Sequence, residues 1–251
     1  MTRSTLPWCG RALTLAVCLW GLVLKAQAFP RIDDLPAYGQ NVMAHGYARS
    51  PGESALSYIE SYLDDPMNDT IRASYWSDQE IIGYKKVEFN NNANVPYYFE
   101  TVDYRRSMGY QVSVRSNTAT VRRIFLMSDG SETVNRTRTV EVDENTVIDA
   151  GFHRFVLANW DRLLNNKTVR LQFLQVDKAR LLPLKITNSR CSIEGAACFK
   201  ISLDNFIFQA LAPKLELIYE KGTKRLLSYS GIGPITMRNG KGMPVEIFYE
   251  Y

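Results

Sequence analysis

Val121-Arg-Arg-Ile-Phe-Leu-Met-Ser-Asp-Gly-Ser-Glu-Thr-Val-Asn-Arg-Thr-Arg-Thr-Val-Glu-Val142 decides how the chain is to be read. Val121, Phe125 and Met127 share a face with Arg123, while Val134, Val140 and Val142 share one with Arg136 and Arg138. A period of two marks half-buried antiparallel strands, because parallel strands buried on both faces read as unbroken apolar runs. Ser128-Asp-Gly-Ser131 is the hairpin turn between them, with Gly130 taking the positive φ that a tight connection demands. The arginines on the mostly apolar face read as a solvated rim or as the edge of a polar cavity.

The pattern extends both ways from this hairpin. Ser54–Leu63 fits an amphipathic helix or a strand. The turn Asp64-Asp-Pro-Met-Asn68 and the alternating Thr70–Trp76 favour a hairpin. Strands are expected over Ile81–Phe89, Tyr97–Arg105 and Tyr110–Arg115. Further on, Val169, Leu171 and Phe173 alternate with Arg170 and Gln172, and Leu182–Ser189 is set to pair with Phe199–Leu203. Lys214–Glu220, Lys224–Ser230 and Pro244–Tyr251 complete the series, and Asp204–Leu211 reads as a short helix capped by Asp204. The expected fold is mainly β, a curved antiparallel sheet or unclosed β-barrel of about twelve strands wrapped around one amphipathic helix. No repeat or linker-like tract divides the chain after residue 50, so 51–251 reads as one domain and 29–50 as an extended lead-in.

That helix is Asp149–Asn165. Phe152, Phe155, Val156, Trp160, Leu163 and Leu164 recur at three- and four-residue steps, Asp149 is placed to cap it, and Asn165-Asn166 to end it. Its aromatic face reads as the plug of a curved sheet or as a ligand-cavity wall. The candidate lining residues are Phe152, Phe155, Trp160, Phe173, Phe208 and Tyr219.

At the N-terminus, Arg3 and Arg11 precede a 13-residue apolar run, Ala12–Leu24, which Ala26-Gln-Ala28 follows. This is the pattern of a cleaved secretory signal peptide over residues 1–28, too short for a spanning helix of about 20 residues. It implies a periplasmic or secreted protein, with no integral membrane segment after cleavage. Losing Arg3, Arg11 and Lys25 turns the formal +4 into 27 − 26 = +1. A nearly neutral surface lacks the basic footprint of a nucleic-acid binder.

Cys191 and Cys198, the two cysteines beyond the leader, are expected to form a disulfide in an oxidising compartment, with Glu194-Gly195 making the turn. A bridge over so short a loop contributes about 2 kcal/mol at most. The Cys-x-x-Cys spacing of a redox centre is absent. His45 and His153 belong to unrelated segments, so no metal set is expected, and no cofactor either. Gly-x-Ser-x-Gly, His-Glu-x-x-His and phosphate-cradling glycine loops are all missing, so no catalytic residues are assigned and the chain is read as a non-enzyme. Glu100 with Asp103 is the carboxylate pair left open for acid–base work.

Leu215–Gly233, with its Lys224-Arg-Leu-Leu-Ser-Tyr-Ser-Gly-Ile232 return strand, and the Pro244-Val-Glu-Ile-Phe-Tyr249 ending are similar to a group of uncharacterised exported proteins of Gram-negative bacteria. Ile82–Phe89 and Val147–Phe152 look like that group too. The resemblance spans roughly residues 54–251 and implies an envelope location without an activity. More remotely, hairpins curled around a helix resemble the periplasmic lipoprotein carriers of the LolA/LolB type, which implies an apolar cavity for acyl chains. The expected role is therefore a non-enzymatic envelope protein binding a lipid or other apolar ligand in the sheet's concavity. The alternative is a structural or partner-binding envelope protein with a dry core and an exposed strand edge.

Overall fold

The computed structural model describes residues 42–90, 94–204 and 215–251. The leader, the greater part of the lead-in, Phe208 and all but Asp204 of the short helix expected over 204–211 lie outside the described residues.

Fifteen strands form one sheet among the described residues. The first half of the chain supplies β1 (Ala44–Arg49), β2 (Leu56–Asp65), β3 (Thr70–Ser77), β4 (Glu80–Glu88), β5 (Tyr98–Asp103), β6 (Met108–Arg115), β7 (Thr118–Leu126) and β8 (Glu132–Glu141). The second half supplies β9 (Thr146–Val147), β10 (Val169–Gln175), β11 (Arg180–Ser189), β12 (Ala196–Leu203), β13 (Leu215–Glu220), β14 (Leu226–Thr236) and β15 (Gly242–Glu250). Spatial order runs β8 to β1 and then β15 to β9, with every pair antiparallel except the short β9–β10. Each half is a meander of hairpins, and pairing of β1 with β15, from His45↔Glu250 to Arg49↔Glu246, makes them one sheet.

The chain connectivity forces this sheet to curl. Laid flat, fifteen strands at the usual spacing of about 4.8 Å would put β8 and β9 roughly 67 Å apart. The link from Glu141 to Thr146 reaches at most about 18 Å when fully extended. The two edges therefore come round towards each other without pairing, and the barrel stays open. At one end the curl is fixed by contacts of Asp103 on β5 and Arg105 just after it with β14, six places away in the sheet order. Arg105 Nη2 donates to the Thr236 carbonyl at 2.6 Å, and the Thr236 hydroxyl donates to Asp103 Oδ2 at 3.3 Å.

The helix expected over 149–165 is present as two segments, α1 (Gly151–Ala158) and α2 (Trp160–Leu164). The break falls at Asn159, whose side chain bonds back to the Phe155 carbonyl at 3.0 Å. Asn166 ends the second segment in the left-handed conformation, at φ 57°. Asp149 does not cap α1. It sits at φ 45° before the helix and turns its carboxylate to Lys85 instead. At Gly151 the helix lies directly against the Asn94 carbonyl, where any Cβ would collide with backbone.

Both segments pack on the inner face of β10–β13. Phe155, Val156, Trp160 and Leu163 meet Val169, Leu171, Ile186, Phe199, Ile201, Leu217 and Tyr219 in the largest apolar core. Val87, Phe99, Val112 and Val121 join Ile148 and Leu174 in a second core that links the two half-sheets.

The fold is thus mainly β and unclosed around a helix, as expected, with three differences. The strand count is fifteen rather than about twelve. The last part of the 29–50 stretch is β1, which lies mid-sheet, at the join. The third is β8, expected to be half-buried but exposed along nearly its whole length because nothing pairs with its outer side among the described residues. The hairpin turns match the reading: Gly130 has φ 79°, and Gly195, at φ 73°, turns the chain from β11 to β12, where Cys191 and Cys198 form the disulfide.

Candidate functional site

Inside the barrel, the strand alternation places an ionic centre that sequence reasoning missed. Tyr58, Glu60 and Tyr62 lie on the inner face of β2, because β2 pairs Glu60 with Gly46 on one side and Tyr75 on the other. Glu60 is 0% exposed and Lys85 on β4 is 5% exposed. Lys85 Nζ lies 2.7 Å from Asp149 Oδ1 and 5.6 Å from the Tyr75 ring centroid. The Tyr62 hydroxyl donates to Glu60 Oε2 at 2.8 Å, and that of Tyr249 on β15 at 3.3 Å. Burial pushes the Glu60 carboxyl above its ordinary value, opposed by the Lys85 ammonium and then by the two phenol hydrogen bonds. Glu60 Oε1 and the Tyr75 hydroxyl are buried without a hydrogen-bond partner among the described residues. Small residues make the room: a Cβ on Gly46 would stand 3.0 Å from Glu60 Oε2 and 2.9 Å from the Tyr249 ring. Glu60 and Lys85 are closed to solvent, Asp149 is partly so, and the Lys85–Asp149 pair ties β4 to the start of the plug. Charges so deeply buried are retained only when paired and hydrogen-bonded.

The plug has two further polar ties. Arg154 forms an ion pair with Asp69 in the β2–β3 turn, and its guanidinium lies 3.7 Å from the Phe89 ring centroid. His153 stacks on Tyr219 at 5.6 Å between centroids, with Nδ1 3.1 Å from the Tyr219 hydroxyl. Burial lowers the His153 imidazole to about 4, with Arg154 adding to the effect, so the ring is neutral at pH 7.

Of the six proposed lining residues, five are described, and all five belong to the helix-side core. Trp160 packs edge-on against Tyr219 and Phe199 at 5.6 and 5.4 Å, and Phe152 meets Phe173 at 6.5 Å. Phe155 also borders a cleft of about 370 Å³ at the open side of the barrel, between the helix and β10–β11. Val169, Leu171 and Leu184 give that cleft an apolar floor, with Arg162, Arg170 and Asp204 among its polar residues. Asp204, expected to cap a helix, pairs with Arg170 at 2.9 Å.

Glu100 and Asp103 do not form an acid–base pair. Alternation sends them to opposite faces of β5, where Asp103 holds Arg105 at 2.9 Å. Glu100, 3% exposed, accepts a hydrogen bond from the Tyr98 hydroxyl, and Gln111 bridges it at 3.5 Å to Glu132 at 3.3 Å. Burial above all, with Glu132 adding, raises the Glu100 carboxyl to about 7. Among the described residues no three His, Cys, Asp or Glu side chains gather as a metal site, and no helix is long and apolar enough to cross a membrane.

No family model and no curated protein matches the chain. Among solved structures it is similar to the crystal structure of a β-barrel-like protein of domain of unknown function DUF1849 from Brucella abortus. The identity is 9%, the TM-score 0.30, and the match covers 84% of this chain and 97% of that one. A likeness at this level carries no functional argument.

Lys85→Met leaves Asp149 facing the interior uncompensated and is expected to cost about 3 kcal/mol in urea denaturation. Asp149→Asn in the same chain is expected to recover part of that loss, since Asn tolerates the left-handed backbone at this position.

Glu100 gives a pH dependence of known sign. The folded state holds the proton on Glu100 more tightly than the unfolded chain does, so its contribution is full below about 4.5 and lost as pH rises through about 7. Glu100→Gln is expected to flatten the fall in denaturation midpoint between pH 5 and 8, an effect of order 3 kcal/mol at most. Parallel pH profiles for the two proteins would overturn this.

Proposed function

We propose that the chain is a non-enzymatic binding protein of the cell envelope that takes a partner strand along the open lip of its barrel. The carrying observation is β8: ten residues, exposed on both faces, with β7 as its one sheet neighbour among the described residues. On an unpaired edge, half of the backbone N–H and C=O groups point away from the sheet and are spaced to receive another strand. The mutual packing of Phe152, Phe155, Trp160, Phe173 and Tyr219 within the plug core supports the partner-binding reading. The envelope location is supported by the leader pattern and by the exported group that the sequence resembles. Photo-crosslinking residues at Thr137 and Thr139 on β8, with Lys200 on β12 as control, test the reading in cells. Adducts from the β8 positions alone, on residues two apart in one segment of a partner, are expected. No β8 adduct, or equal adducts from Lys200, would refute it.

The cleft favours a second reading, in which an amphipathic ligand rests on Val169, Leu171 and Leu184 with an anionic end towards Arg162. Saturable fluorescence enhancement of dansyl-labelled undecanoic acid, weakened severalfold by Arg162→Glu, is expected on this reading. An unsaturable signal, or one unchanged by the substitution, excludes it.

A further inference from the structure

We infer that Arg123, Arg136 and Arg138 form a binding site for a tetrahedral oxyanion, a phosphate group, on the inner face of the lip. Strand register puts Arg123 of β7 directly opposite Arg136 of β8, and Val121 opposite Arg138, so the three guanidiniums share one face. Like charges facing each other across an antiparallel pair destabilise it unless something neutralises them. Here nothing does. Among the described residues none of the three forms an ion pair, although the same structure pairs Lys85, Lys86, Arg105, Arg154 and Arg170 with carboxylates.

Arg123 separates this cluster from ordinary edge protection. Cations on an exposed edge strand guard against aggregation, and that account serves for Arg136 and Arg138. It does not serve for Arg123, which lies one strand in and is half-buried. Its Nε is shielded from solvent without a partner among the described residues, its Nη2 meets Met108 Sδ at 3.9 Å, and its guanidinium stands 5.0 Å from the Phe125 ring centroid. A buried guanidinium N–H without an acceptor is costly, and an oxyanion would supply the acceptor.

The surroundings set the charge of the occupant. Arg138 Nη1 donates to the Lys178 carbonyl at 3.2 Å, which brings the β10–β11 turn, with its Asp177 and Lys178, up to the lip. Arg123, Arg106 and Asp177 all act electrostatically on Tyr110, the residue opposite Arg123 on β6. Glu132 and Glu141 stand at the two ends of β8. Three arginines on one face of two adjacent strands, each able to present two parallel N–H donors, suit the several oxygens of a dianionic, tetrahedral group. That chemistry belongs equally to free phosphate and to the headgroup of an anionic phospholipid.

This site does not depend on the partner-strand reading, and its test is separate from the crosslinking. Calorimetric titration of the purified protein with inorganic phosphate, with acetate as control, measures the site directly. Co-sedimentation with phosphatidylcholine vesicles, with and without phosphatidic acid, distinguishes the sources. Phosphate or phosphatidic acid is expected to bind, with Arg136→Gln and Arg123→Lys each weakening binding about tenfold or more. Arg122→Gln, on the opposite face of β7, is expected to change binding little. Binding to vesicles alone or to free phosphate alone supports the site and names its source. Absence of both, equal binding of acetate, or an equal loss with Arg122→Gln overturns it. Retention of the wild-type thermal transition shows that a loss is local.

Discussion

The architecture depends on one constraint: the two free edges of a fifteen-stranded sheet are consecutive in the chain. β1 and β15 join the two meanders into a single sheet, and four residues separate β8 from β9. Neither fact alone bends anything. Together they require the sheet to wind round until β8 comes near β10 and β11, as the Arg138 contact with the Lys178 carbonyl shows. Curling turns one face inward everywhere, and that face must be filled. The plug fills it because the chain passes through the interior between β9 and β10.

The plug meets the two half-sheets by different physics. Towards β10–β13 it presents Phe155, Val156, Trp160 and Leu163, an apolar surface whose burial needs no matching of individual groups. Towards the first half of the chain it presents charges: Asp149 to Lys85, and Arg154 to Asp69 with Phe89 beneath it. Buried ion pairs contribute less to stability than the apolar packing opposite, but they tolerate misplacement poorly. The second half and the plug thus form the hydrophobic body, and the ionic contacts fix how the first half docks on it.

Much of this was legible in the sequence. Alternation along Thr120–Met127, the glycine turns, the amphipathic stripe of the plug and the cysteine hairpin are local signals, and each corresponds to an observed element. What escaped depends on distant partners. β1 reads as lead-in, yet its Ala44, Gly46 and Ala48 are small where Tyr62, Glu60 and Tyr58 occupy the space beside them. Asp149 is in the right place for a cap, and no local pattern announces that Lys85, 64 positions earlier, competes for its carboxylate. Glu60 shares a face with two tyrosines, which the alternation shows. That this face is fully buried follows only from the curl.

On the proposed reading the lip, not the interior, carries the function. The interior polar groups are tied into the docking of plug and sheet, so occupying them would disturb the contacts that hold the barrel together. At β8 the situation is reversed. Among the described residues the strand is paired on one side only, and it carries two arginines on the face where β7 contributes a third. A sheet selected for stability alone would shorten such an edge, cover it or place a carboxylate opposite each cation. Here the edge runs for ten residues, and among the described residues its arginines form no ion pair while cations elsewhere in the sheet find carboxylates. Among the described residues the open side of the barrel therefore leaves one row of its backbone groups without a sheet partner and its arginines without an ion pair, which is why the proposed partner is placed there.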